Sequence, residues 1–123
     1  DFNAEDFIER KEIKKMDVFI QYALSAGSMA IEDAGLKITE ENADRVGVVV
    51  GAGIGGIHTI ERYHSVLLEN GQRRISPFFI PMLITNLAAG QISMRFGARG
   101  PNSCVTTACA AGTHAIGDSF KII

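Results

Sequence analysis

The sequence lacks several features that mark particular classes of protein. It has 12 Lys and Arg against 14 Asp and Glu, so it has no basic excess of the kind that nucleic-acid binders usually carry. Its two cysteines form no disulfide-rich pattern, which favours a reducing, cytoplasmic setting. No spacing of Cys and His residues resembles a zinc site. We expect no signal peptide, and because Pro77 and Pro81 interrupt the longest uncharged stretch (75–94), we also expect no transmembrane helix.

What is present is the composition of a folded domain. Apolar residues make up 46% of the 123 residues and charged residues 21%, with a net charge of only −2. Intrinsic disorder requires low hydrophobicity and high net charge, so this composition excludes it. The length fits one domain at most. Because the sequence begins at Asp1 rather than Met and ends inside a predicted helix, we expect a piece of a longer protein.

Strands and helices alternate along the sequence, which predicts an α/β fold. The apolar, β-branched run RVGVVVGA (45–52) predicts a strand covered on both faces, and residues 102–107 predict a second strand. Asp17 is the predicted N-cap of a long helix, and Gly35 is its predicted C-terminal stop. Five helices are predicted, at 2–10, 17–34, 57–68, 83–96 and from 109 onward.

A glycine-rich motif follows the first predicted strand. Residues 51–56 (GAGIGG) have the G-x-G-x-x-G spacing that holds a dinucleotide pyrophosphate on backbone N–H groups. The strand with an acidic ribose ligand, expected about 20 residues later, is absent, because QRRISP (72–77) stands there. A dinucleotide-binding module is therefore one hypothesis. The alternative is that these glycines allow close backbone packing or shape a pocket for another ligand.

A cysteine lies at the junction of the second predicted strand and the last predicted helix. Cys109 has only small neighbours on either side, and these leave room for a substrate. The N–H groups and dipole at a helix start favour a thiolate, and they also favour an oxyanion forming on an attacked acyl carbon. A buried thiol that packs as a hydrophobe is the alternative, and the residues alone leave both interpretations open. Cys104, in the middle of the strand, fits the buried interpretation.

A thiolate nucleophile usually needs a base, and no histidine is placed to provide one. His114 lies five positions after Cys109, about 140° around a helix, so we expect it to point largely away from the thiol. His58 and His64 lie on a predicted surface helix, and we expect structural roles for all three. The predicted apolar face of that helix consists of Ile57, Ile60, His64, Leu67 and Leu68.

Several runs of residues resemble the bacterial β-ketoacyl-acyl-carrier-protein synthases of the elongating type II kind. They are VGVVVGAGIGG (46–56), SPFFIPMLITNLAAGQISMRFGARGPN (76–102), TTACAAGTHAIGD around Cys109, KKMDVFIQYAL (14–24) and AIEDAGL (30–36). Condensing domains of polyketide synthases are near neighbours, and thiolases share the fold without these runs. The resemblance implies a thiolase-like fold, in which two α/β halves pack into five alternating layers, and a homodimer. Residues 1–123 are then a fragment of the first, N-terminal half, without its first strand and without the C-terminal half.

The resemblance also implies a reaction. Cys109 takes an acyl chain from acyl-carrier protein as a thioester, with its own backbone N–H as one oxyanion donor. Malonyl-carrier protein then loses carbon dioxide, and the resulting carbanion attacks the thioester. Two histidines and a lysine from the second half assist this step, so the chain alone is expected to be inactive. No cofactor or metal is implied, and no nucleic acid or membrane partner.

Other residues match positions of the family with roles in binding. Ile54 matches a residue that lines the acyl pocket, and Phe79 an aromatic that reaches the pocket of the partner subunit. Five basic residues match or extend a surface that binds the acidic carrier protein: Lys11, Lys14 and Lys15, with Arg73 and Arg74 from the second subunit. Core packing and a solvated charged face are the alternatives. A non-catalytic scaffold is a third hypothesis for the chain as a whole.

Overall fold

The structure, a computed structural model, describes residues 2–123. Its helices and strands are α1 (Arg10–Ile13), α2 (Val18–Asp33), β1 (Val48–Gly51), α3 (Ile57–Asn70), α4 (Phe79–Leu83), α5 (Leu87–Phe96), β2 (Asn102–Val105) and α6 (Ala111–Ile122). Short 3-10 turns lie at Ala4–Asp6, Ala43–Arg45, Gln72–Arg74 and Ala108–Ala110. None of the helices in this described part combines the length and the apolar character of a membrane-spanning helix.

The two strands form a parallel pair, with Val48 opposite Asn102 and Gly51 opposite Val105. Parallel strands need a long crossover, which α3, α4 and α5 provide here. The predicted α/β class is confirmed. β1 is shorter than the predicted strand at 45–52, because Ala43–Arg45 forms a 3-10 turn.

β1 lies between two helical layers. The core on one side consists of buried apolar side chains from the N-terminal segment, α2 and α5: Ile8, Met16, Ile20, Leu24 and Ile92. Val48 and Val50 pack against this core, and alternate residues of a strand point to opposite faces. The backbone of Gly51 contacts Ala111 at the start of α6. Both faces of β1 are therefore packed, as its continuous apolar run predicts, although its residues are only half-buried.

The long helix α2 begins and ends where the sequence predicts. The Asp17 carboxylate accepts a hydrogen bond from the backbone N–H of Phe19 at 3.4 Å, which makes Asp17 the N-cap. Gly35 follows the helix in the left-handed region, with a φ of 57°. One apolar side of α2 lies in the core, and Tyr22 and Met29 on the other side are exposed.

The helix predicted at 2–10 is wrong. The segment consists of the 3-10 turn Ala4–Asp6 followed by α1, which begins only at Arg10. Between them the chain turns so that Ile8 enters the core, where it is 2% exposed. Glu9 is consequently extended, with a ψ of 135°, and a continuous helix cannot form.

The predicted start of the helix at 83–96 is wrong. The chain leaves the helical conformation after Leu83, the last residue of α4. The Leu83 carbonyl accepts a hydrogen bond from the backbone N–H of Gly56 at 2.9 Å, instead of serving a continuing helix. Ile84 is then extended, with a ψ of 137°, and α5 begins at Leu87. A contact with the glycine-rich loop thus overrides local helix propensity.

The predicted apolar face of α3 is also wrong. Its buried residues are Thr59 and Tyr63, whereas Ile57, Ile60 and Leu67 are exposed. Tyr63 packs edge-on against Phe79, with ring centroids 5.1 Å apart. Thr59 is buried because it binds Asp17, as described below. Polar and aromatic contacts, rather than the aliphatic stripe, decide which side of α3 faces inward.

Candidate active site

Cys109 lies in the 3-10 turn Ala108–Ala110 that joins β2 to α6. The last helix therefore begins two residues later than the sequence predicts, at Ala111. The thiol of Cys109 is free and exposed, which contradicts the buried-thiol alternative within this chain. Ala108, directly before it, has a φ of 48° and is the one non-glycine residue in 2–123 with positive φ. That conformation costs roughly 1–2 kcal/mol for a residue with a side chain, so the surrounding contacts must hold it in place.

The backbone N–H groups of the cysteine turn differ in whether they have an acceptor. The backbone N–H of Ala110 donates to the Thr107 carbonyl at 3.0 Å, and that of Ala111 donates to the Ala108 carbonyl. Within the described residues the N–H of Cys109 has no acceptor, and no side chain caps the start of α6. The positive end of the α6 dipole and this N–H can both stabilise negative charge, on the sulfur or on an acyl oxygen.

The glycine-rich loop supports this turn through close backbone contacts. A Cβ on Gly51 would lie 2.3 Å from the Ala111 carbonyl oxygen, so only glycine lets the start of α6 approach β1 this closely. A Cβ on Gly53 would lie 3.9 Å from the Ala108 carbonyl oxygen, an ordinary contact. The loop is thus adjacent to the cysteine turn, and Gly51, unlike Gly53, is needed for close packing there.

The N-terminus of α3, where a dinucleotide pyrophosphate would bind, already holds a carboxylate. Asp17 Oδ2 accepts hydrogen bonds from the Thr59 backbone N–H at 3.0 Å and from the Thr59 hydroxyl at 2.6 Å. A second anion at the same helix end would be repelled by Asp17, which is itself buried. This geometry disfavours the dinucleotide hypothesis. The sequence analysis identified Asp17 only as a cap of α2, because no local pattern links it to Thr59.

Ile54 and Phe79, the two predicted pocket residues, lie in different places. Ile54 is 72% exposed and lines a groove of about 460 Å³ together with Phe19, Tyr22 and Ala23 of α2. The groove passes along the glycine-rich loop, from Val50 to Gly55. Phe79 is half-buried against Tyr63 and does not line this groove. Its role toward a partner subunit stays a prediction.

The predicted carrier-binding residues are exposed or half-buried, and two of them have acidic partners. Lys11 Nζ lies 2.7 Å from Glu9, and Lys15 Nζ lies 2.9 Å from Glu12. A hydrogen bond and the charge of Lys11 lower the pKa of Glu9, and the same contacts raise the pKa of Lys11. Lys14 is exposed. Arg73 and Arg74 lie in the exposed turn after α3.

Within residues 2–123, none of the three histidines makes a hydrogen bond to the Cys109 thiol. His58 and His64 are exposed on α3. His114, on α6, shares a hydrogen bond of 3.2 Å between its Nδ1 and the Thr107 hydroxyl, and its Nε2 lies 3.2 Å from the Asp118 carboxylate. Its ring is thus engaged with these two side chains. Among residues 2–123, no group of three His, Cys, Asp or Glu side chains is arranged to hold a metal ion. Cys104 is half-buried in β2, opposite Val50.

Comparisons with known proteins agree with this arrangement. Residues 2–123 match the family described as "Beta-ketoacyl synthase, N-terminal domain". The chain is 53% identical over 122 residues to 3-oxoacyl-[acyl-carrier-protein] synthase 2 of Staphylococcus aureus, aligning 99% of this chain with 30% of that protein. It is 50% identical over 123 residues to the protein of the same name from Vibrio harveyi, aligning 100% of this chain with 30% of that protein.

Solved structures of ketosynthases are also similar to this chain. A chain from a type II PKS acyl-carrier protein in complex with its ketosynthase matches with a TM-score of 0.92 and 28% identity, covering 100% of this chain and 35% of that chain. The ishigamide ketosynthase/chain length factor matches with a TM-score of 0.82 and 29% identity, covering 98% of this chain and 30% of that chain. The fold is therefore that of the ketosynthases, and the predicted thiolase-like α/β class is confirmed. The chain belongs to the β-ketoacyl synthase N-terminal domain family, and it spans 30% of the length of the curated relatives it matches.

Proposed function

We propose that this chain is the part of a 3-oxoacyl-[acyl-carrier-protein] synthase that bears its nucleophile, and that Cys109 is the acyl-accepting residue. The observation that carries the proposal is the exposed thiol beside its own unpaired N–H at the start of α6. In the first step the sulfur attacks the carbonyl of an acyl thioester on acyl-carrier protein, and the carrier's thiol leaves. The N–H of Cys109 donates to the oxyanion that forms during this attack.

The second step joins a two-carbon unit to the bound acyl group. Malonyl-carrier protein loses carbon dioxide, and the carbanion left behind attacks the Cys109 thioester. The 3-oxoacyl product remains on the carrier, and the Cys109 thiolate is released. Because no described histidine makes a hydrogen bond to the thiol, the two histidines and the lysine that assist this step come, in this proposal, from a C-terminal half of a longer chain. The exposed apolar side chains Ile116 and Phe120 on α6 support packing against such a half.

The remaining predicted residues have binding roles in this proposal. Ile54 borders the acyl chain, as its exposed position in a groove lined by apolar side chains supports. Phe79 reaches the pocket of a partner subunit in a homodimer. The basic side chains contact the acidic carrier: Lys11, Lys14 and Lys15, with Arg73 and Arg74 from the second subunit. The reaction belongs to fatty-acid elongation in the cytoplasm.

An acylation experiment tests the proposal in the protein at its natural length. Incubation with an acyl-carrier protein thioester should add one acyl mass to the protein, detected by intact-mass spectrometry and peptide mapping at Cys109. Cys109→Ser should abolish the adduct, because a serine hydroxyl is far less ionised than a thiol at neutral pH.

Cys104→Ser is the matched control, and it should leave both the amount of adduct and the rate at which the adduct forms unchanged. An adduct that persists in Cys109→Ser, or that disappears in Cys104→Ser, would contradict the assignment.

A further inference from the structure

Three side chains near Cys109 in the sequence form a continuous chain of polar contacts. The Thr107 hydroxyl lies 3.2 Å from His114 Nδ1, and His114 Nε2 lies 3.2 Å from Asp118 Oδ2. Thr107 thus faces one ring nitrogen of His114, and Asp118 faces the other. The chain runs from the residue two places before the thiol to the second turn of α6.

The position of this chain matters because the turn it holds is strained. Ala108, between Thr107 and Cys109, has a positive φ, and such a conformation persists only where neighbouring contacts fix both of its sides. On one side the Thr107 carbonyl accepts the Ala110 N–H, and on the other the Ala108 carbonyl accepts the Ala111 N–H. The His114 ring ties the side chain of Thr107 to α6, so it fixes the turn to the helix that follows it.

We propose that Thr107 and His114, oriented by Asp118, are positioning residues that hold the Cys109 turn in its strained, exposed conformation. This inference rests on the proposed role of Cys109 as the nucleophile. The chain does not touch the sulfur, so His114 acts through Thr107 and not as a base. Without the Thr107 hydroxyl, Ala108 is free to relax toward negative φ. Relaxation would turn the thiol and the N–H of Cys109 away from their present arrangement at the helix start.

The test measures the rate at which iodoacetamide alkylates Cys109 relative to Cys104, in the protein at its natural length. Thr107→Val keeps the shape of threonine and removes only the hydroxyl. It should lower the relative rate at Cys109 about fivefold, the factor that corresponds to one typical hydrogen bond. Thr107→Ser keeps the hydroxyl and should restore the rate to nearly that of the parent protein. His114→Ala should resemble Thr107→Val, and the double variant should be no slower than the slower single variant, because both remove the same connection.

The outcomes separate this inference from the proposed function. Equal Cys109 rates in the parent and in Thr107→Val, or serine as slow as valine, would overturn the positioning role. If His114→Ala fails to fold, as a rise in Cys104 alkylation would reveal, the valine and serine pair at position 107 decides. Acylation by an acyl-carrier protein thioester is measured in parallel in the parent protein. Its absence would remove the proposed function, whereas the alkylation rates would still report on the turn.

Discussion

Gly51 lies at the end of β1, where the backbone at the start of α6 passes directly against it. An alanine Cβ there would lie 2.3 Å from the Ala111 carbonyl oxygen, so α6 would have to shift. We expect Gly51→Ala to destabilise the protein by about 2 kcal/mol, a typical cost of overpacking, and to slow alkylation of Cys109. Urea unfolding and iodoacetamide kinetics measure the two effects.

Gly53→Ala is the control in the same loop. Its Cβ would lie 3.9 Å from the Ala108 carbonyl oxygen, which is an ordinary contact. We therefore expect the free energy of unfolding to change by less than about 0.5 kcal/mol. Equal destabilisation by the two substitutions would mean that close approach to α6 is not the reason for glycine at position 51.

Asp17 joins two helices that are far apart in the sequence. One carboxylate oxygen caps α2 at Phe19, and the other binds both the N–H and the hydroxyl of Thr59 on α3. Thr59→Val removes the hydroxyl donor to a buried carboxylate and should cost about 2 kcal/mol of unfolding free energy, measured by urea titration. Thr59→Ser retains that donor and should cost less than half as much. A valine variant as stable as the serine variant would show that the hydroxyl contributes nothing.

The elements that could be predicted from the sequence are those with local signals. Asp17 and Gly35 delimit α2, and a β-branched run marks β1. The strand–helix junction and its small neighbours made Cys109 a candidate nucleophile, but only the family resemblance decided between that role and a buried thiol. The break between α4 and α5 has no local signal, because it arises when the Leu83 carbonyl binds Gly56, well away in the sequence. The pairing of Thr107 with His114 depends in the same way on how β2 meets α6. Contacts between distant segments, rather than weak propensities, account for what the sequence analysis missed.

The distribution of charge over the molecule bears on how an acidic carrier protein could bind. Glu9 binds Lys11 and so competes with the carboxylates of a carrier protein for it. Each group stabilises the charged form of the other, because the pKa of Glu9 is lowered and that of Lys11 is raised, so both are charged throughout the neutral range. The pair is lost only as the pH falls through the lowered pKa of Glu9 or rises through the raised pKa of Lys11. We therefore expect Glu9→Gln to free Lys11 at neutral pH and to tighten carrier binding about twofold at low salt.

Titration of acyl-carrier protein at two salt concentrations measures this effect. Lys14→Gln should weaken binding, and the difference between variants should shrink at high salt because exposed charges are screened. Glu41→Gln changes the net charge by the same amount at a distant exposed position and serves as the control. If it tightens binding as much as Glu9→Gln, overall charge rather than the release of Lys11 is responsible.

The parallel pairing of β1 with β2 has a consequence for when the thiol becomes reactive. The strand that supports the cysteine turn and the strand that leads into it are separated by the whole of α3, α4 and α5, so they meet only after that long loop has closed. Pairings of this kind form slowly during folding. Under the role proposed for Cys109, a newly made chain would lack the turn that presents the sulfur, and acyl capture would begin only after the two strands have paired.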